Sequence, residues 1–496
     1  MLNNRNVQQD LEQIDSILKE HGISRRDALK MMGLGGAGLF VGGTEAQAAT
    51  VAKASDAKGK IVIVGGGLSG VATAAKLSNS LSNPDITVIE PNPKSVSYQP
   101  GNTLVGSGLW TLNDITYETK DFMPNGVKWI QDKAVEFNPD ANELKTAGGE
   151  TVKYDYLIVA AGLVNDYGMI KGLEEVGEVY TLDANDAAKA KKILGQNGLC
   201  SIYFSEGAVD TWTQMQKFVA DAKSGKKVTG VFPEPHTPFK CGGAQKKITN
   251  LTNARLEEAG ARANADLKFY TNGGKLFGVP EYHDAIDGQM KARNVAVTYS
   301  HKFTEVDTAN KIAKFEKHWE EKGAWDADLE EYTMEVKTEA VEVAYDFCHV
   351  IPPQKAPKEI ANSPLGSEKG WVPVNKETLQ HVKYPNVFSL GDIAAVPLGK
   401  TGGSARKQYK AVCENIISLM EGKELTSKYD GYTVCPLITN IGTVMLAEFK
   451  WNPAGKGAVA APSFPLDPTQ ERWIYWLLKA YLLKPMTVYG MLSGRA

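Results

Sequence analysis

The chain has 496 residues, 43% of them hydrophobic and 23% charged, enough apolar sequence for two or three cores. Its net charge of −3 lacks the basic excess that a nucleic-acid binder carries. Five scattered cysteines, with no Cys-x-x-Cys and no Cys/His zinc spacing, argue against a metal site.

The first segment reads as targeting sequence. Residues 24–48, SRRDALKMMGLGGAGLFVGGTEAQA, carry paired Arg25-Arg26, a Gly-diluted apolar run and Ala46-Gln47-Ala48 as an A-x-A cleavage site. The expectation is a twin-arginine export signal over 1–48 and a periplasmic mature protein, peripheral on the membrane. Its alternative is an amphipathic N-terminal arm. No later run of 18 or more apolar residues predicts a membrane-spanning helix.

A buried parallel strand is predicted at Ile61-Val62-Ile63-Val64, followed by Gly65, Gly67 and Gly70 as G-x-G-x-x-G at the start of the helix VATAAKL. The next strand, ITVIE, ends on Glu90. Glycines let a pyrophosphate approach the backbone, the helix N-terminus at Leu68 and Ser69 stabilises its charge, and Glu90 takes the ribose hydroxyls. Dinucleotide binding is the reading of this unit. YDYLIVAAG (Tyr154–Gly162) and YPNVFSLGD (Tyr384–Asp392) repeat the strand-plus-glycine pattern. The three together resemble the two-dinucleotide-domain flavoproteins of the disulfide-reductase class. That resemblance implies FAD held non-covalently, with Gly162, Gly391 and Asp392 on the cofactor and the Val135 backbone at the adenine. Asp392 could equally cap a helix.

Members of that class that use a nicotinamide carry a second glycine motif in the middle domain. Here the strand Lys226–Phe232 runs into PEPHTPFKCGGAQKK, where prolines lack N–H donors and Phe239-Lys240 are too bulky for a phosphate to approach. Cys241 stands there instead. Lys240, Lys246, Lys247 and a following helix N-terminus would favour its thiolate. Glu234 and His236 are near enough in sequence to handle protons, or are ordinary loop residues.

At SYQPGNTLVGSG (Ser97–Gly108), TPFKCGGAQKKI (Thr237–Ile248), HVIPP (His349–Pro353), GWVPVNKETLQHVKYPNVFSLGD (Gly370–Asp392), GKT (Gly399–Thr401) and YDGYTVCPL (Tyr429–Leu437) the chain resembles the sulfide:quinone oxidoreductases, of the branch that includes the mitochondrial enzymes. The resemblance implies sulfide oxidation at Cys241, electron transfer through FAD to a membrane quinone, and Lys400 as a cation near the flavin. It also implies a second cysteine after the Gly-Asp, where this chain has Ile393; the related flavocytochrome c sulfide dehydrogenases place theirs after a Gly-Trp, where this chain has Val372. Cys348 is the nearest substitute in sequence, or else a buried core residue. Cys435 is not expected at a redox position. A flavin subunit donating to a c-type cytochrome and a non-catalytic flavin sulfur-binding protein are the competing functions; NADH-driven disulfide reduction ranks last.

The expected architecture is α/β, with two Rossmann-like domains: 58–165 for FAD, 166–345 carrying Cys241, 346–440 returning to the FAD domain, and 441–496 as a membrane-associating region. Residues 315–343 read as an exposed hairpin. At the C-terminus, Trp473, Tyr475, Trp476, Tyr481 and Tyr489 among Leu and Ile, with Lys479 and Lys484, suit an interfacial segment with snorkelling lysines, or a helix docked on the protein's own core. A homo-oligomer is compatible with all of this.

Overall fold

The computed structural model describes residues 54–326, 328, 330–463 and 466–495, with scattered residues between 12 and 27. Arg25, Arg26 and the proposed cleavage site at 46–48 lie outside the described residues.

In chain order the first domain opens with β1 (Lys60–Val64), α1 (Leu68–Ser80), β2 (Asp85–Ile89), β3 (Lys128–Ile130) and β4 (Tyr156–Val159). The second contributes β5 (Leu199–Cys200), α2 (Ser205–Lys223), β6 (Val228–Pro233), α3 (Ala244–Glu258), β7 (Ala265–Tyr270), α4 (Pro280–Ala292), β8 (Val295–Thr298), the long strands β9 (Ile312–Asp326) and β10 (Glu331–Ala344), and β11 (Phe347–His349). The chain then returns with β12 (Val387–Ser389) and α5 (Gly402–Met420), and ends in β13 (Thr433–Asn440), β14 (Thr443–Trp451) and a helical run over 473–491.

Two five-stranded parallel sheets result, in the orders β12-β4-β1-β2-β3 and β5-β11-β6-β7-β8. Both are covered on each face, which is why their strands are continuously apolar rather than alternating. Alternate residues of β1 enter different cores. Ile61 and Ile63 join Ile158, Phe388 and α1, whereas Val62 and Val64 join Leu157, Val159 and Val387. The second sheet divides likewise: Phe232, Phe269 and Phe347 face one core, and Leu199, Val231 and Cys348 the other.

Two expected boundaries move. β11 pairs with β5 and β6, so the second sheet keeps the chain until His349 instead of releasing it at 346. β13 and β14 form one antiparallel pair across 440, because its inward residues are shared between two cores: Leu437 and Met445 meet the middle domain, while Ile438, Val444 and Leu446 meet the C-terminal helix. The hairpin β9–β10 projects as expected, pairing Ile312 with Ala344 at its base and Trp325 with Tyr332 near its tip.

Within the C-terminal run, Ile474, Tyr475, Leu477, Leu478 and Leu482 are buried against Leu104, Leu251, Ile438 and Leu446. Lys479 does not snorkel. It is 1% exposed, and its Nζ donates to the Pro100 carbonyl at 2.6 Å. π-Helical turns before and after Pro485 carry the helix past the proline. Leu18, inside the segment read as a cleaved signal, is buried in the same cluster.

Candidate functional site

The cleft between the C-terminal ends of β1 and β4 and the start of α5 has a volume of about 330 Å³. Gly65, Gly67, Leu68, Ser69, Glu90, Gly162, Gly391 and Asp392 all line it. Gly65 has φ +106, and a Cβ there would meet the Ala160 carbonyl oxygen at 2.5 Å; on Gly70 it would meet the Gly65 oxygen at 1.8 Å. Gly70 is thus the contact that seats α1 against β1, not a cleft wall. Glu90 accepts N–H bonds from Gly66 at 2.7 Å and Asn92 at 2.8 Å; burial raises its pKa, partly offset by these two bonds. The α1 N-cap residue, Gly67, gives no side-chain cap, so the first-turn N–H groups stay open to the cleft. The buried Ser97 hydroxyl, another lining group, has no hydrogen-bond partner among the described residues. This cradle, acid and unsatisfied donor fit a dinucleotide's pyrophosphate and ribose. Val135 stands in a bulge of the Ala134–Asn138 strand with its side chain 36% exposed, and the wall at that level is Lys133 and Tyr180.

The far end of the cleft is closed by Gln99, Pro100, Lys240, Thr401 and Gly402. Lys240 is held by three hydrogen bonds: its N–H to Gln354 Oε1 (2.7 Å), its carbonyl from the Tyr203 hydroxyl (3.0 Å), and its Nζ to Gln99 Oε1 (2.7 Å). Cys241 follows with φ +54, a left-handed conformation that a side chain adopts at a cost of about 1 kcal/mol. Its N–H donates to the Lys400 carbonyl at 3.2 Å, and its own carbonyl accepts from Ala244 at the start of α3. One backbone bond thereby ties the thiol residue to the loop between Asp392 and α5.

Of the three lysines expected around this thiol, one reaches it. Lys247 Nζ lies 3.8 Å from Cys241 Sγ. Lys246 turns away into a buried ion pair with Glu234 at 2.5 Å, and also donates to the Gly242 carbonyl. Glu234 is therefore committed to a structural pair beneath the loop. His236 is exposed; partial burial and Lys302 lower its pKa, and its charged neighbours are Lys302 and its cross-strand partner Glu316 of β9, not the cleft. Lys400 Nζ donates to the Asp392 carbonyl and stands 3.5 Å over the Trp371 ring. Burial lowers its pKa to about 8, against the pull of Asp392.

Cys348 does not meet Cys241. It is 0% exposed in mid-sheet, opposite Val231 and Leu199 on the face away from the Cys241 core. Burial pushes its thiol well up, and its sulfur neighbour is Cys200. The residue missed by sequence reasoning is Cys435 on β13. A Cβ on Gly243 would come within 2.6 Å of its Sγ, and Lys247 hydrogen-bonds to it as well as to Cys241. Lys479 and Tyr98, one from the last helix and one from the start of the chain, close the space beside them.

Two Rossmann-like domains, one dinucleotide cleft and a thiol where a second cradle would stand define a two-domain flavoprotein oxidoreductase. A family model described as pyridine nucleotide-disulphide oxidoreductase matches residues 59–197. Mitochondrial sulfide:quinone oxidoreductase of Mus musculus is 34% identical over 435 residues, covering 88% of this chain and 86% of that one. The protein of the same name from Dictyostelium discoideum is 35% identical over 438 residues, with the same coverage. The solved sulfide:quinone oxidoreductase of Aquifex aeolicus shares the fold at a TM-score of 0.68 and 19% identity, over 88% of this chain and 92% of that one. The chain belongs to the sulfide:quinone oxidoreductase family; it is an oxidoreductase flavoenzyme and its cofactor is FAD. The relatives' names also overturn an expectation. They are mitochondrial proteins, so the twin-arginine signal and the periplasmic location are withdrawn, in keeping with Leu18 being part of a core.

Proposed function

We propose that this flavoenzyme oxidises sulfide to the sulfane level and passes the electrons through FAD to a membrane quinone. The observation that carries the proposal is Cys241, bonded to the Lys400 loop and paired with Lys247, at the end of a cleft whose other end suits a pyrophosphate. FAD, when bound, supplies a two-electron acceptor that can be reoxidised separately from sulfur chemistry. Gly65, Gly67, Leu68, Ser69, Glu90, Gly162, Gly391 and Asp392 hold and orient it. Lys247 keeps a positive charge beside the thiol, which favours thiolate as the nucleophile. Lys400 offers a cation to negative charge that develops on reduction. The prolines and Phe239 leave a nicotinamide no phosphate site.

For the quinone, the proposal is that ring edges of the C-terminal helix meet lipid while its other face remains docked. Tyr489 is 39% exposed and Trp473, Trp476 and Tyr481 are half-buried. No helix among the described residues is long and apolar enough to cross a membrane. Anaerobic sulfide should bleach the flavin's visible absorbance and a soluble quinone should restore it, while NADH does neither. Flavin that stays oxidised in excess sulfide refutes this function. Reoxidation by cytochrome c in place of quinone would transfer the second half-reaction to a protein acceptor.

A further inference from the structure

The hairpin β9–β10 takes no part in the flavin cleft, and its outer half lies beyond the third strand of its sheet. The strand His301–Asp307 flanks β9 only as far as Lys317, and a bond from the His318 N–H to the Ser300 carbonyl ends that contact. From there to the tip the ribbon is two strands wide, a width that is marginally stable in water by itself. It is nevertheless regular. Trp325 meets Tyr332 edge to face at 5.0 Å, and Lys322 Nζ stands 5.0 Å over the Tyr332 ring. Of the ten large apolar side chains exposed among the described residues, four are here: Trp325, Tyr332, Met334 and Val336. The last three share one face of β10 with Thr338 and Ala340. β10 is also an edge of its sheet, and no proline blunts it; the register shift near the tip puts its extra residue on β9.

The Tyr345 N–H donates to the Lys311 carbonyl, and the register runs unbroken from Ala344 to Met334, so the odd-numbered residues of β10 bond to β9. Met334, Val336, Thr338 and Ala340 therefore turn their N–H and C=O groups outward. A second β10, arriving antiparallel about a twofold axis at Val336, meets them with the same outward groups. Tyr332 then stands opposite Ala340, Met334 opposite Thr338, and Val336 opposite its copy, so one face of the seam is apolar throughout. On the other face Glu335 stands opposite Lys337 on both sides of the axis, and Thr333 opposite Glu339. Within one strand Lys337 already pairs with Glu335 at 2.6 Å, so the seam gathers four alternating charges. Neighbouring axes fit less well. At Glu335 or Lys337 a charge faces its own copy, at Thr338 the Met334 side chain faces Glu342, and at Met334 the paired stretch shrinks to 331–337.

We propose that this chain forms a twofold dimer by antiparallel addition of β10 to a second β10, joining two exposed ribbons into one four-stranded sheet. The pairing satisfies both open edges and covers apolar side chains of both copies. Its symmetry closes the assembly at two chains. A seam one strand wide is a small interface, so the dimer is concentration-dependent.

The test is sedimentation velocity on the FAD-loaded full chain across a concentration series. Wild type should double in mass as concentration rises. Glu335→Lys and Lys337→Glu each set like charges opposite one another, and each should weaken dimerisation about tenfold or more at unchanged FAD content. The exchange Glu335→Lys/Lys337→Glu should restore it, and the two single variants should pair when mixed. Cysteines read the register without relying on those charges. An oxidised mixture of Glu335→Cys and Lys337→Cys proteins should give a dimer whose cross-link maps to positions 335 and 337, and neither protein alone should give it. Wild type that stays monomeric throughout the series overturns the proposal, as does a dimer indifferent to both charge reversals or a mixture that forms no 335–337 link. A monomeric chain whose β10 captures a strand of some other protein would equally overturn it.

Discussion

Lys400 is the group whose chemistry can be read by pH. Its Nζ is enclosed by the Trp371 ring and the Asp392 carbonyl, and burial lowers its pKa from 10.5 to about 8. With a pKa there, the ammonium is about 90% charged at pH 7 and about 10% charged at pH 9. If Lys400 stabilises charge on the reduced flavin, a step that needs the cation falls about tenfold over that interval. The assay is stopped-flow reoxidation of dithionite-reduced enzyme by a soluble quinone, which bypasses the sulfur chemistry. Wild type should lose rate with a single apparent pKa near 8. Lys400→Arg, charged throughout, should flatten the limb, and Lys400→Met should be flat at the slow level. A wild-type profile without a limb between pH 7 and 9, or an unchanged limb in Lys400→Met, refutes the role.

Lys479 tests the sign of a linkage. Burial, then Lys247, lower its pKa to about 7, so between pH 7 and the unfolded value of 10.5 the unfolded chain binds the extra proton. Stability should therefore rise across that window by up to about 1.4 kcal/mol per pH unit, relative to Lys479→Met, in denaturant midpoints measured against pH; parallel profiles would refute the burial. Lys246→Met strands Glu234, which is 6% exposed, and should cost about 3–5 kcal/mol by chemical denaturation, with most of that recovered in Lys246→Met/Glu234→Gln. Equal losses in both variants would mean that the pair is not the cause. Gly70→Ala sets a methyl 1.8 Å from the Gly65 oxygen, and should yield protein with far less bound FAD by absorbance ratio, without the total unfolding a core deletion brings. Normal FAD content would show that α1 can shift.

The parts of this molecule that chain-local patterns describe were readable. Gly65, Gly67, Gly70 and Glu90 lie within one strand-turn-helix-strand unit, and their spacing is their geometry. Cys241 was readable by exclusion, because prolines and Phe239 are incompatible with a phosphate site whatever the tertiary context. What failed depended on distant segments. Cys348 and Cys241 looked like neighbours because strand ends converge in such sheets, but the two-residue period turns Cys348 to the opposite face. Cys435 comes beside Cys241 across nearly two hundred residues; its segment YDGYTVCPL was noted only for its resemblance, and the room for its sulfur is made by Gly243, which no pattern local to Cys435 shows. Lys479 was misread because an amphipathic helix shows the same composition on a lipid surface and on its own protein; only the carbonyl of Pro100 decides between them.

The left-handed backbone at Cys241 has a consequence for engineering. A glycine at that position would take φ +54 freely, and the two residues after it already are glycines. On the proposed function, the turn trades folding free energy for a thiol at one residue. Selection for heat resistance alone would drift toward losing the thiol, and a hyperstable variant of this enzyme should be checked at position 241 before any other.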